Sequence, residues 1–197
     1  MADTLPELLV ADRASWRTWL RAHYHDEGVW LVLAKKRVIE PTKLTYDEAL
    51  EEALCHGWID GQVGRRDERT YRQRFTPRRA RSSWSQRNVG LVERLLAEGL
   101  MHPAGLEVVA RAKEDGRWDD AYAGQATIEV PTDLSAALDE APEAKAMFER
   151  LTSQNRYAVL YRIHEAKRSD TRARRIERFV AMLARGETIH PQSKAKQ

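Results

Sequence analysis

The stretch Trp58-Ile59-Asp60-Gly61-Gln62-Val63-Gly64, with Thr70-Tyr71-Arg72-Gln73-Arg74-Phe75 after it, decides the fold. The segment before it, Tyr46 to His56, has a helical period: Ala49, Leu50, Ala53 and Leu54 recur on one face, and Gly57 stops the run. Thr45 with Glu48 three residues on forms a capping box at its start. From Trp58 the period drops to two. Tyr71, Gln73 and Phe75 then share one face, and Thr70, Arg72 and Arg74 share the other. The spacing predicts an antiparallel hairpin of 58–65 and 69–76, which Pro77 ends.

Working outward, Val29-Trp30-Leu31-Val32-Leu33-Ala34 is a short run with β-branched and aromatic members, read as a buried strand over 29–36 with Lys35-Lys36-Arg37 as its charged exit. Asp12 caps a preceding helix in which Trp16, Trp19, Leu20 and His23 share a face. Ser83 or Ser85 caps a helix with Leu91, Val92, Leu95 and Leu96 inward, stopped by Gly99. Pro103 opens another, ended by Gly116. Beyond the segment 128–131 the periodicity is helical throughout, with starts near Thr132, Pro142, Ser153 and Asp170 and a stop at Gly186. The expected fold class is therefore α+β. A small antiparallel three-stranded sheet with covering helices fills residues 1–127, an all-helical module follows over 128–190, and 191–197 is a flexible tail.

Composition narrows the function classes. The 197 residues are 42% hydrophobic and 32% charged, as in a soluble globular chain. No run is long and apolar enough for a membrane helix, no signal peptide is visible, and one cysteine allows no internal disulfide. These features lead to the expectation of a cytoplasmic protein without membrane insertion. No histidine, cysteine or carboxylate set has ligand spacing, and GxxxxGK[ST], GxGxxG and GxSxG are all missing from the sequence, so no metal and no cofactor are expected. Hydrolysis of nucleotides, esters or peptides is not expected either.

Charge is arranged in blocks. Gln62 to Arg87 holds nine Arg and two acids, 9 − 2 = +7, against +3 for the whole chain. The stretch Glu93 to Glu149 is net 5 − 13 = −8, and Arg156 to Arg178 is net 8 − 3 = +5. Arginine presents a planar fork matched to phosphate and carboxylate, and interleaved aromatic rings are a feature of single-strand nucleic-acid binders. Arg72, Arg74, Arg78, Arg79, Arg81, Trp84 and Asn88 are thus the candidate anion-binding set. The partner is an unidentified anion, nucleic acid among the candidates. The same arginines could instead pair with Asp60, Asp67, Glu68 and the acidic block, and that pairing is favoured for most of them. Asp60, between Trp58 and Gly61, is the one candidate acid/base for an alternative enzymatic reading, in which the arginines clamp a small anionic substrate. Fixing the hairpin through Arg74 or Arg78 is its favoured role. Cys55 and His56 are adjacent on a helix and point about 100° apart, so they do not form a nucleophile–base pair. The pair of helices around Arg168-Ser169-Asp170 reads as an αα-hairpin with a basic face, ahead of a DNA-binding helix-turn-helix.

Leu54-Cys55-His56-Gly57-Trp58-Ile59-Asp60-Gly61, Arg74-Phe75-Thr76-Pro77-Arg78-Arg79, Ser83-Trp84-Ser85 and Gly99-Leu100-Met101-His102-Pro103-Ala104-Gly105 resemble the YdeI/OmpD-associated, or bacteriocin-protection, family. Ile163-His164-Glu165-Ala166-Lys167 and Thr171-Arg172-Ala173-Arg174-Arg175-Ile176 resemble that family's C-terminal helical module. The family pattern usually has an aromatic at position 56, where this chain has His56. The resemblance implies a stress-protection protein, directed against bacteriocins or cationic antimicrobial peptides and associated with a porin, with no assigned reaction. Together with the charge pattern it leads to the expectation of a non-enzymatic module that binds an anionic partner. A purely structural protein-interaction module is the remaining alternative.

Overall fold

A computed structural model describes residues 5–192. The elements in order are β1 (Glu7–Leu8), α1 (Arg13–His23), β2 (Val29–Ala34), α2 (Tyr46–Cys55), β3 (Trp58–Arg65), β4 (Thr70–Pro77), α3 (Gln86–Ala97), α4 (Pro103–Glu114), α5 (Thr132–Asp139), α6 (Pro142–Glu149), α7 (Ser153–His164) and α8 (Ser169–Ala184). The chain packs as two compact units, one through Ala121 and one from Tyr122, where the sequence reading places its boundary at 127/128.

In the first unit the sheet order is β1-β2-β4-β3. The β3–β4 hairpin is antiparallel and pairs Trp58 with Pro77 at one end and Arg65 with Tyr71 at the other. A register shift between Asp60 and Val63 is a β-bulge that opposes Gly61 and Gln62 to one partner residue, and Gln73 Nε2 donates to the exposed Gly61 carbonyl at 2.8 Å. The expected three-strand sheet is corrected to four. Glu7–Leu8 adds to β2 in parallel, continued by Trp30 N donating to Pro6 O at 2.9 Å. Two residues carry no alternation, so only pairing reveals this strand.

Tyr71, Gln73 and Phe75 lie on the helix-covered face, as alternation predicts, with Phe75 fully buried beside Trp16, Trp58 and Leu31. Trp16 explains much of α1: its ring packs against Phe75 at 5.8 Å and Trp58 at 6.4 Å, while its Nε1 donates to the Ala49 carbonyl at 3.1 Å. The capping box of α2 is formed as expected, Glu48 N donating to Thr45 Oγ1 and Thr45 N to Glu48 Oε2. The other sheet face is not open. Trp30 and Val32 are buried on it, opposite Arg74 and Arg72 in register, and the Arg72 guanidinium lies 4.7 Å from the Trp30 ring centroid. Gly64 permits this: a Cβ there would sit 2.7 Å from Arg72 Nε.

The second unit is all helix. Leu134, Leu138, Phe148, Leu160, Ile163, Ile176, Phe179 and Leu183 form its core. Arg172 reaches from α8 to Asp133 at 2.5 Å and to the Ile163 carbonyl at 3.0 Å, and Arg175 donates to the Arg162 carbonyl. The two carbonyl contacts join α8 to α7, and the Asp133 contact joins α8 to α5. Buried Asn155 ties down the following segment, accepting from His190 N at 2.8 Å and donating to Gln192 Oε1 at 3.0 Å. The packed unit thus extends to Gln192, and positions 193–197 of the expected tail lie outside the described residues.

Candidate functional site

Burial divides the candidate arginine set. Thr70 to Pro77 is seven rises of about 3.3 Å, so the two ends of β4 are roughly 23 Å apart. Arg72 and Arg74 sit half-buried along this strand, with the Arg74 stem over Gly61. Arg78, Arg79 and Arg81 follow its far end. Arg79 and Arg81 are exposed and have no acidic partner among the described residues. Arg78 is buried: its guanidinium lies 3.6 Å from the Trp84 ring centroid and donates to the Ser83 carbonyl at 3.2 Å.

Trp84 and Asn88 move from surface candidates to the interior. Trp84 is only 2% exposed, with Trp118 against its ring at 4.9 Å, so no base can stack on it. Asn88 is buried in the first turn of α3, where its backbone N–H donates to the Ser85 cap at 3.2 Å. Period-based reading places a Trp before a capped helix in the loop, but apolar area draws it into the core.

Asp60 is also separated from the arginines. It pairs with Phe75 in register, and so lies on the opposite sheet face from Arg72 and Arg74. Its partner is Tyr46, whose hydroxyl donates to Oδ2 at 2.9 Å, in place of the expected Arg74 or Arg78. Burial and the Asp60 charge push the Tyr46 phenol up to about 12, which keeps it a donor at neutral pH. Arg87 closes the group, 5.4 Å from the Tyr46 ring centroid and bonded to Asp47 at 2.9 Å. Cys55 is buried and its thiol is pushed up to about 12 by burial, the reverse of an activated nucleophile.

At the near end of β4 a different cluster forms. Lys35 N donates to the Arg69 carbonyl at 3.0 Å and Lys35 Nζ to the Asp67 carbonyl at 2.7 Å. The basic exit of β2 is thereby held against the hairpin turn. Asp67 shapes that turn by accepting from Thr70 N, Thr70 Oγ1 and Arg69 N, bonds that bring its carboxyl down to about 2. Arg66 is tied to Glu7 at 2.8 Å and to Asp67 at 2.5 Å. Lys36, Arg37, Arg65 and Arg69 are exposed and have no acidic partner among the described residues. Residues 35–37 and 65–69 together hold six bases and two acids, 6 − 2 = +4.

Sequence reasoning missed one further constellation. Arg13, Arg17 and Arg21 recur at i, i+4, i+8 along α1 and face α2. Glu52, 2% exposed, accepts from Arg13 Nε at 2.5 Å and from Arg17 Nη2 at 2.6 Å and Nε at 2.8 Å. Burial opposes its charge, but these bonds more than offset that and hold its pKa below the usual carboxylate value. At the end of α2, the 99–103 turn is seated by His102 N donating to the Cys55 carbonyl at 3.0 Å. Gly105 allows this approach, since a Cβ there would meet the Cys55 oxygen at 2.1 Å. The His102 and His56 rings then stack at 4.9 Å. Arg17, Arg21, Glu52, His56 and His102 line a cleft of about 240 Å³. Burial lowers the His56 pKa, so the imidazole is neutral at pH 7. The arginine ladder was the available signal in the sequence, but its Trp16 and Leu20 neighbours drew the reading to packing.

The mixed sheet with its helical cover, and the all-helical unit after it, each match a family. Residues 8–108, just over half of the chain, match the family described as Domain of unknown function (DUF8412), and the chain belongs to that family. Residues 127–186 match the family described as Bacteriocin-protection, YdeI or OmpD-Associated. That resemblance holds over the helical unit, while the motifs at 54–61, 74–79, 83–85 and 99–105 fall within the first match. No curated protein and no solved structure matches the chain.

Proposed function

We propose that this protein is a binding protein of the bacteriocin-protection kind that holds a polyanionic partner at the hairpin end of its sheet. The observation that carries the reading is the bond from Lys35 N to the Arg69 carbonyl, which gathers the two basic segments 35–37 and 65–69. Four of these cations, Lys36, Arg37, Arg65 and Arg69, have no acidic partner among the described residues. Unpaired exposed cations close together raise the local potential and attract phosphates or sulfates, whereas cations in ion pairs are already compensated. The separation of Asp60 from the arginines, together with the raised Cys55 thiol, favours binding over turnover by either candidate group.

The test is a titration of heparin, single-stranded DNA and RNA at several salt concentrations. Three engaged cations give a log–log slope of about −2 for single strands, at roughly −0.7 per phosphate. Lys36→Gln with Arg69→Gln should flatten the slope by about 1.4, and Arg79→Gln with Arg81→Gln should leave it unchanged. Affinity weaker than millimolar for every polyanion at low salt would overturn the proposal.

A further inference from the structure

We propose that the cleft between α1, the C-terminal end of α2 and the 99–103 turn binds a small oxyanion that keeps a proton at neutral pH, inorganic phosphate. This site lies apart from the hairpin end and does not depend on that reading.

Charge comes first. Arg21 is exposed and has no acidic partner among the described residues. Arg17 gives Nε and Nη2 to Glu52, and among the described residues no bond occupies its Nη1. The lining charges are Arg17, Arg21 and Glu52, a net 2 − 1 = +1, and the carboxylate is already held by two guanidinium groups. Two stacked imidazoles could suggest a metal, but adjacent guanidinium groups repel a cation, and no group of three metal-ligating side chains occurs among the described residues.

The imidazoles set the proton pattern. His56 Nδ1 lies 2.8 Å from the Glu52 carbonyl, an acceptor only, so Nδ1 carries the hydrogen and Nε2 is an acceptor. His56 is 4% exposed, and Nε2 is buried with no donor among the described residues. A buried acceptor without a donor is costly, and a ligand that brings one is favoured. His102 Nδ1 accepts from Ala104 N at 3.3 Å, so its Nε2 carries the hydrogen and is a donor. The site therefore offers guanidinium and imidazole donors beside one imidazole acceptor. A singly protonated phosphate matches both, because it has anionic oxygens and one P–O–H. Sulfate at neutral pH has no proton to give. The volume of about 240 Å³ corresponds to about eight waters at ~30 Å³ each, ample for a phosphate ion.

Calorimetry of the whole chain with inorganic phosphate and with sulfate tests the assignment. Saturable phosphate binding at least tenfold tighter than sulfate is expected, about 1.4 kcal/mol. Arg21→Gln, at an exposed position that leaves the core alone, should weaken phosphate about tenfold. Arg185→Gln, at an exposed position of the second unit, should leave it unchanged. His56→Phe, which keeps a ring but removes the acceptor, should abolish the preference over sulfate, with the fold checked by circular dichroism. No saturable phosphate binding, equal affinity for sulfate, or an Arg21→Gln variant with native affinity would each overturn the proposal.

Discussion

Replacing Trp84 with Ala separates a core ring from a stacking platform. The side chain is 2% exposed, Trp118 packs on it at 4.9 Å, and the Arg78 guanidinium lies 3.6 Å from its centroid. Truncating a buried Trp to Ala costs about 3–5 kcal/mol through lost transfer energy and the remaining cavity. The upper half of that range is expected, because Arg78 also loses a desolvated cation–π contact of about 2 kcal/mol. The first unit, ending at Ala121, falls between the sizes for which 1 kcal/mol moves the midpoint by about 4–8 °C and by about 2–4 °C. A fall of roughly 10–20 °C follows. Trp84→Phe keeps a ring under Arg78 and removes the Nε1 donor, which is buried with no partner among the described residues, so it should cost less than Trp84→Ala while still leaving a smaller cavity. Urea unfolding followed by circular dichroism gives both values. Polyanion titration at 15 °C on the folded fraction should show native affinity for each variant. An unchanged unfolding midpoint for Trp84→Ala together with weakened polyanion binding would refute the core assignment and restore the ring to the surface.

Glu52 gives the acid limb of stability. Its folded pKa lies below the ordinary value of 4.5, so its stabilisation is present above that value and is lost as pH falls through the folded pKa. Glu52→Gln should remove this part of the acid slope in pH-dependent urea midpoints and destabilise the protein at pH 7 by about 3 kcal/mol, since two guanidinium groups lose their buried partner. An unchanged acid slope would contradict the pairing. Gly105→Ala places a Cβ 2.1 Å from the Cys55 carbonyl, so the 99–103 turn must lift from α2. At least about 1–3 kcal/mol of lost stability is expected by thermal melting, and a native midpoint would show that the turn is not seated there.

The sequence by itself determined what depends on near neighbours. The change of period at Trp58, the capping box at Thr45 and Glu48, and the stops at Gly99, Gly116 and Gly186 are local. They were sufficient for the hairpin, the flanking helices and the all-helical second unit. The concentration of arginine between Gln62 and Arg87 was equally plain. Which arginines act together was not, because β4 carries them in both directions from its centre and its register with β2 sets some of them over Trp30 and Val32. Only tertiary structure brought Lys35 to Arg69 and His102 to His56, contacts across 34 and 46 positions (69 − 35 and 102 − 56) that no local pattern records. Trp84 shows the same limit from the other side. A loop tryptophan among arginines reads as a binding ring, yet its large apolar area favours the core, and the nearest arginine follows it there as a lid. Strand pairing and burial are long-range choices, settled by which faces can be covered, and the spacing of residues along the chain does not contain that information.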